Sequence, residues 1–118
     1  MVPQLAPANF ADWIASLPAD APTPIVLDVR EPWELQTASV KAEGFTLVHI
    51  PMREVPARLE GLRDELTPDQ PVACLCHHGM RSQQVAAYLV QNGFTQVVNL
   101  QGGIQAWTGQ RDATVPLY

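Results

Sequence analysis

The fold of this chain is decided by the stretch Pro71-Val72-Ala73-Cys74-Leu75-Cys76-His77-His78-Gly79-Met80-Arg81-Ser82. Its first five residues form an apolar run of strand length, and its middle is a short polar loop that contains a glycine. A strongly helix-forming segment follows over residues 82–92. This order predicts a strand, a tight loop and a helix, with the thiol of Cys76 at the mouth of the loop.

The loop predicts that Cys76 is a nucleophile that faces an anion-binding cradle. Backbone N–H groups at a strand-to-helix turn point inward, and the positive end of the helix dipole lies nearby. A helix N-terminus and adjacent cations, here His77, His78 and Arg81, both favour the thiolate form of a cysteine. We therefore expect a reactive sulfur that meets solvent, whereas Cys74, inside the strand, is expected to be a buried apolar thiol.

Three further loop residues have individual roles in this prediction. Gly79 allows the sharp turn that a loop wrapped around a single atom needs. Arg81 places a fixed charge and a planar donor fork where the helix dipole disfavours a cation, which indicates a bound anion. Ser82 is expected to cap the N-terminus of the helix.

The pattern Cys-x-Cys-His-His offers four metal ligands within five residues. Adjacent residues point in different directions, however, and zinc sites separate their ligand pairs along the chain. We therefore expect His77 and His78 to contribute positive charge or hydrogen bonds around the entrance of the site. The sequence predicts no metal and no cofactor.

Apolar runs of strand length alternate with helical patterns along the chain. The runs cover residues 25–27, 47–50, 72–75 and 97–100, with a weaker fifth strand at 2–5, and the helical patterns cover residues 9–16, 32–36, 55–66, 82–92 and 104–108. Because the runs are almost continuously apolar, they indicate a sheet buried on both faces. We predict an α/β fold with an open, mainly parallel five-stranded sheet and helices on both faces.

Composition narrows the class of protein. A chain of 118 residues is expected to form one domain over residues 1–118. The net charge of −5 disfavours nucleic acid and anionic membranes as partners. The two cysteines are too close together for a structural disulfide, and neither a signal peptide nor a bilayer-spanning run is expected. The predicted location is the cytoplasm.

Two more motifs follow predicted strands, at the edge where α/β folds place their sites. Asp28 is expected to accept hydrogen bonds behind the site, and Arg30 to reach the anion or to pair with Glu31 or Glu34. Gly102-Gly103 is expected to form a tight strand-to-helix connection that leaves Trp107 in the core, rather than a phosphate-binding turn.

Three stretches are similar, in this order, to motifs of the rhodanese family of sulfurtransferases. They are Leu27-Asp28-Val29-Arg30-Glu31-Pro32-Trp33-Glu34, Cys76-His77-His78-Gly79-Met80-Arg81-Ser82, and Asn99-Leu100-Gln101-Gly102-Gly103-Ile104 followed by Ala106-Trp107. One segment departs from the family. Ser39-Val40-Lys41-Ala42-Glu43-Gly44-Phe45 stands where the family usually has Gly-His-Ile-Pro-Gly-Ala, which leaves the choice of substrate open.

The resemblance implies a rhodanese-like fold and sulfur transfer through a persulfide on Cys76. The Cys76 thiolate would take the outer sulfur of a donor such as thiosulfate and pass it to cyanide, a thiol or a protein acceptor. Arg81 and Arg30 would attract the dianionic donor. The loop would hold the persulfide through the residues that follow the cysteine, namely His77, His78, Gly79, Met80, Arg81 and Ser82. The implied partners are a small sulfur donor and a thiol or protein acceptor.

Two other functions use the same residues. A sulfur carrier or interaction module would use Cys76 in the same way with little turnover of its own. A cysteine phosphatase is less favoured, because related phosphatases have one residue more between cysteine and arginine than the four found here. The tail after Gly109 is expected to pack on the surface or to reach a partner.

Overall fold

A five-stranded parallel sheet forms the centre of the computed structural model, which describes residues 2–118. In chain order the strands are β1 (Gln4–Leu5), β2 (Ile25–Asp28), β3 (Thr46–His49), β4 (Val72–Leu75) and β5 (Val97–Leu100). They lie side by side in the order β1-β5-β4-β2-β3, and every neighbouring pair is parallel. The predicted fold class is confirmed.

Five α-helices connect the strands and cover the sheet. They are α1 (Phe10–Ser16), α2 (Pro32–Thr37), α3 (Val55–Glu65), α4 (Met80–Gln91) and α5 (Gly103–Gln110), with short 3₁₀ turns at Pro7–Asn9 and Met52–Glu54. Helix α4 begins two residues before the predicted start, because Gly79 precedes it in a left-handed conformation at φ 105°. Within residues 2–118, no helix has the length and the apolar character needed to cross a bilayer.

The two faces of the sheet carry separate apolar cores, which explains why the strands read as continuous apolar runs. Successive strand residues point to opposite faces, so Leu27 and Val26 of β2 enter different cores. The first core lies under α3 and α4. The second lies under α1 and α5, where the buried rings of Phe10 and Trp107 pack edge to face with centroids 5.0 Å apart.

The strand register brings the carboxyl ends of β2 and β4 together. Asp28, the last residue of β2, pairs with Leu75, the last residue of β4. Cys76 follows Leu75 directly, and α4 begins four residues later at Met80. The parallel arrangement therefore places Cys76, the motif over residues 27–34 and the start of α4 at one edge of the sheet.

Candidate active site

The sulfur of Cys76 lies at the N-terminal end of α4, where two hydrogen-bond donors contact it. The backbone N–H of Gly79 is 3.0 Å from Sγ, and the hydroxyl of Ser82 is 3.2 Å away. Both groups favour a negatively charged sulfur, as does the positive end of the helix dipole. The predicted strand, loop and helix thus bring Cys76, Gly79 and Ser82 together.

The prediction that the sulfur meets solvent is not met. Cys76 is only 1% exposed. It is enclosed because the loop folds closely around it, with α5 against the outside of the loop.

Cys74 is the buried apolar thiol that the sequence predicts. It is fully buried inside β4. Burial, followed by the charge of nearby Cys76, raises the pKa of the Cys74 thiol to about 12. The two cysteines thus have different environments, because only Cys76 lies beyond the strand at the start of a helix.

The N-cap role predicted for Ser82 is wrong. The helix begins at Met80 after Gly79, so Ser82 is the third residue of the helix and is completely buried. Its hydroxyl instead contacts Asn99 Oδ1 of β5 at 2.6 Å as well as the Cys76 sulfur. This side chain therefore belongs to the site rather than to the helix terminus.

Arg81 borders the loop, but a carboxylate already engages it. Its guanidinium donates two hydrogen bonds to Glu34 of α2, at 2.8 and 2.9 Å. These bonds lower the pKa of the Glu34 carboxyl to about 2, and the same pair raises the pKa of Arg81. About a third of the Arg81 side chain is exposed, so part of its donor fork still faces solvent.

Arg30 does not line the anion site, which corrects the expectation of a direct contact with the donor. It is completely buried and forms an ion pair with Asp28, its Nη2 2.8 Å from Asp28 Oδ2. Its remaining donors bond the carbonyl of Ala38 and the hydroxyl of Tyr118. The partner is thus Asp28, and not the carboxylate of Glu31 or Glu34. Asp28 accepts hydrogen bonds behind the site, as expected.

A stack of three rings borders the loop. Tyr118 lies parallel to His77 with ring centroids 3.9 Å apart, and His77 stacks on His78 at the same distance. Burial, and then the neighbouring His78, lowers the pKa of His77. His78 also bonds Gln105 of α5, with Nε2 2.7 Å from Oε1. Met80 is the most open part of the rim, at 77% exposure.

Helix α5 packs against the loop and donates hydrogen bonds to two of its carbonyl groups. The backbone N–H of Ile104 donates to the carbonyl of Cys76 at 2.9 Å, and that of Gln105 donates to the carbonyl of His77 at 3.3 Å. The first amides of a helix lack partners within it, so the loop satisfies them. Gly102-Gly103 is therefore the tight connection that was predicted, and Trp107 is buried in the core.

The segment that departs from the family motif and the tail after Gly109 both pack against the rest of the protein. In the segment over residues 39–45, Val40 and Phe45 are buried in the second core. In the tail, Val115 enters the same core, and the Tyr118 hydroxyl is 2.8 Å from Glu34 Oε1. The tail thus reaches the edge of the site, which the expectation of surface packing did not foresee.

Three site residues escaped the sequence-based prediction: Glu34 as the partner of Arg81, Asn99, and Tyr118. Asn99 carries a signal that could have been used, because it is a polar residue inside an otherwise apolar strand. Glu34 lies three residues after Glu31, a spacing typical of a capping box, which the structure contains. Tyr118 carries no such signal.

Within residues 2–118, no three His, Cys, Asp or Glu side chains come close enough together to hold a metal ion. The groups that this edge of the sheet presents are the Cys76 thiol, its two hydrogen-bond donors and the paired Arg81. Comparison with known proteins identifies the family of the chain. A family model described as "Rhodanese-like domain" matches residues 10–110. The chain belongs to the rhodanese-like family.

One relative of this rhodanese-like chain is named for sulfur transfer, and another is named for its domains. It is 35% identical over 85 residues to "Thiosulfate sulfurtransferase GlpE" of Pseudoalteromonas translucida, and the match covers 70% of this chain and 71% of that protein. It is 38% identical over 93 residues to "Rhodanese-like/PpiC domain-containing protein 12, chloroplastic" of Arabidopsis thaliana. That match covers 79% of this chain but only 30% of the longer plant protein.

Solved structures share the whole fold. The crystal structure of a rhodanese-related protein from Thermoplasma volcanium superposes with a TM-score of 0.73 at 29% identity. The superposition covers 98% of this chain and 99% of the other. The rhodanese-like architecture therefore includes β1 and the tail, which lie outside the segment matched by the family model.

Proposed function

We propose that this protein is a sulfurtransferase of the thiosulfate sulfurtransferase type, which moves a sulfane sulfur from a donor to a nucleophilic acceptor through a persulfide on Cys76. The observation that carries the proposal is the pair of donors on the Cys76 sulfur, the Gly79 N–H and the Ser82 hydroxyl. The name of the Pseudoalteromonas relative supports thiosulfate as a donor.

The proposed reaction has two steps. In the first, the Cys76 thiolate attacks the outer sulfur of thiosulfate, a sulfur–sulfur bond forms, and sulfite leaves with the electron pair of the broken bond. In the second, cyanide or a thiolate attacks the outer sulfur of the persulfide, and the electron pair of the cleaved bond returns to Cys76. The Gly79 N–H and the start of α4 stabilise the negative charge in each resting state.

Arg81 has donors left for the leaving sulfite. A guanidinium carries five N–H groups, and the pair with Glu34 uses two of them. The rest can bind the oxygens of thiosulfate while Glu34 holds the guanidinium plane in place. The donor is then attracted by a local positive group on a protein whose net charge is −5.

Steady-state kinetics test the enzyme. Thiocyanate formation from thiosulfate and cyanide is expected to follow a ping-pong pattern, because the first product leaves before the second substrate reacts. Cys76→Ser is expected to abolish turnover, and the matched variant Cys74→Ser is expected to retain it. Full activity of Cys76→Ser would refute the proposal.

One observation favours the alternative of a sulfur carrier with little turnover. Cys76 is only 1% exposed, and Glu34 takes two of the Arg81 donors, so less of the site is available to a free small molecule. A carrier would accept one sulfur atom from thiosulfate or a protein donor and release it slowly to cyanide. Persulfide formation without sustained thiocyanate production would establish the carrier.

A further inference from the structure

We propose that Asn99 is a positioning residue for sulfur transfer, which holds both donors of the Cys76 sulfur in place from β5. The proposal rests on the proposed function, because it assigns Asn99 a role in forming and stabilising the persulfide. Asn99 is 2% exposed and does not contact the sulfur itself. It acts through Gly79 and Ser82.

Asn99 bonds each of these two residues with a different end of its amide. Its Oδ1 lies 2.6 Å from the Ser82 hydroxyl, and its Nδ2 donates to the carbonyl of Gly79 at 3.1 Å. A second Nδ2 hydrogen bond to Gln4 Oε1, at 2.9 Å, fixes the orientation of the amide from β1. Because the partners of the two ends differ in chemistry, a flipped amide would face the Gly79 carbonyl with an oxygen.

The Ser82 hydroxyl has one hydrogen and two acceptors. When Cys76 is a neutral thiol, the shorter contact to Asn99 Oδ1 takes that hydrogen, and the serine oxygen can accept from the thiol. When the sulfur is a thiolate or persulfide, a charge-assisted bond is the stronger one, and the hydroxyl hydrogen turns to the sulfur. Asn99 Oδ1 therefore holds the serine oxygen beside the sulfur in the thiol state, and the Nδ2 bond to the Gly79 carbonyl is made in both states.

The second contact acts on the backbone. Gly79 has a left-handed φ of 105°, and its N–H is the amide that contacts the sulfur. Anchoring the Gly79 carbonyl to β5 restricts rotation of this flexible residue. Loss of Asn99 therefore weakens both donors at once, whereas loss of Ser82 removes only one.

The test compares four proteins: the wild type, Asn99→Ala, Ser82→Ala and the double variant. Asn99→Ala is expected to slow persulfide formation with thiosulfate about tenfold, the loss expected when a charged group loses good hydrogen bonding. The thiosulfate concentration for half-maximal rate is expected to stay constant, because Asn99 contacts no substrate. In the Ser82→Ala background, the effect of Asn99→Ala is expected to shrink to about threefold or less.

Two further variants keep the test decisive if Asn99→Ala unfolds. Asn99→Asp preserves the shape and the oxygen that faces Ser82, but it turns a carboxylate oxygen toward Gly79 O and Gln4 Oε1. We expect a loss of rate at least as large as for Asn99→Ala. Asn92→Ala is the matched control, since Asn92 bonds only the Tyr88 carbonyl at the far end of α4, and it is expected to change nothing.

Alkylation of Cys76 by iodoacetamide separates this proposal from the proposed function, because it needs no sulfur donor. If the wild type forms no persulfide, the proposed function fails, yet slower alkylation of Asn99→Asp would still support the role of Asn99. If folded Asn99→Asp forms the persulfide and is alkylated at the wild-type rates, the proposed role of Asn99 is overturned. So would equal effects of Asn99→Ala with and without the Ser82 hydroxyl.

Discussion

At the scale of single residues, the reactivity proposed for Cys76 depends on short contacts that its position in the loop provides. Cys74 is two residues earlier and carries the same thiol, but β4 surrounds it with apolar groups that raise its pKa to about 12. Cys76 has the Gly79 N–H at 3.0 Å and the Ser82 hydroxyl at 3.2 Å. We therefore infer that these hydrogen-bond donors make Cys76, and not Cys74, the reactive cysteine.

The Ser82 hydroxyl is expected to contribute directly to this reactivity. Ser82→Ala removes one of the two donors and is expected to slow persulfide formation about tenfold, since hydrogen bonds to charged groups contribute roughly 1.5–3 kcal/mol. Stopped-flow measurement of sulfite release gives the rate. Ser16→Ala, a serine that bonds only the Trp13 carbonyl in α1, serves as the control. An unchanged rate for Ser82→Ala would contradict the assignment of the donor.

Glu34 is expected to stabilise the fold in a pH-dependent way. Because Arg81 lowers the folded-state pKa of Glu34 from 4.5 to about 2, the stabilisation is present above about pH 4.5 and is lost as the pH falls toward about 2. At neutral pH, Glu34→Gln is expected to cost about 2 kcal/mol, less than the shift alone implies because Arg81 is partly exposed.

Urea unfolding of the wild type and of Glu34→Gln, at neutral pH and near pH 3, checks this expectation. The difference between the two proteins is expected to shrink on acidification. Glu60→Gln is the control, because Glu60 and Arg63 form an exposed pair at 3.7 Å on α3. A difference that does not depend on pH would show that Glu34 acts by shape rather than by charge.

At the scale of elements, the loop depends on how closely α5 approaches it. An added Cβ at Gly103 would collide with the His77 carbonyl and lie 2.5 Å from the Cys76 carbonyl oxygen. Gly103 also has a left-handed φ of 63°, which side chains rarely adopt. The glycine therefore allows the first amides of α5 to bond the loop carbonyls, and the loop keeps its shape around the sulfur.

Gly103→Ala is expected to destabilise the protein by more than about 2 kcal/mol and to reduce persulfide formation, since the collision pushes the loop or α5 away. Gly109→Ala lies in the same helix, where an added Cβ meets nothing within 4 Å. It is expected to leave activity unchanged and to keep or slightly raise the melting temperature. Equal stability of the two variants would contradict the close approach of α5.

The elements themselves could be predicted from sequence, whereas their side-chain contacts could not. Apolar runs of strand length and helical spacing depend on neighbouring residues, so β2, β4, β5 and the loop were predicted correctly. The bond between Arg81 and Glu34 joins residues 47 positions apart, and that between Tyr118 and Glu34 joins residues 84 apart. Such contacts follow from the order of the strands, which local patterns do not contain.

The error at Ser82 has a local cause. Serine before a helical pattern usually caps it, but Gly79 allows the chain to enter the helix earlier, at Met80. Because the helix begins two residues earlier than predicted, the Ser82 side chain lies in the site. Similarly, Arg30 was expected to meet the anion or to pair with Glu31 or Glu34, but Asp28, two residues before it, is close enough to bind it in the interior.

At the scale of the whole molecule, a buried ion pair joins the sheet to the tail. Asp28 and Arg30 are both completely buried, and Arg30 also donates to the Tyr118 hydroxyl at 2.8 Å. Tyr118 in turn bonds Glu34, which holds Arg81. The tail, β2, α2 and the loop are therefore connected by one chain of polar contacts.

Removing one partner of the Asp28–Arg30 pair is expected to lower the free energy of unfolding of the whole protein. Asp28→Ala leaves the Arg30 guanidinium buried without its counter-charge, which is expected to cost about 3–5 kcal/mol. Urea unfolding monitored by tryptophan fluorescence measures the loss. Asp20→Ala, on an exposed loop, is expected to have no effect. A loss of less than about 1 kcal/mol for Asp28→Ala would show that the pair is not needed for stability.

The central claim is that Cys76 carries a sulfur atom as a persulfide, and peptide mass spectrometry after incubation with thiosulfate tests it most directly. The account predicts a gain of about 32 Da, the mass of one sulfur atom, on the peptide that contains Cys74 and Cys76. The gain is expected to persist in Cys74→Ser and to disappear when cyanide is added. No gain in the wild type, or an undiminished gain in Cys76→Ser, would contradict the account.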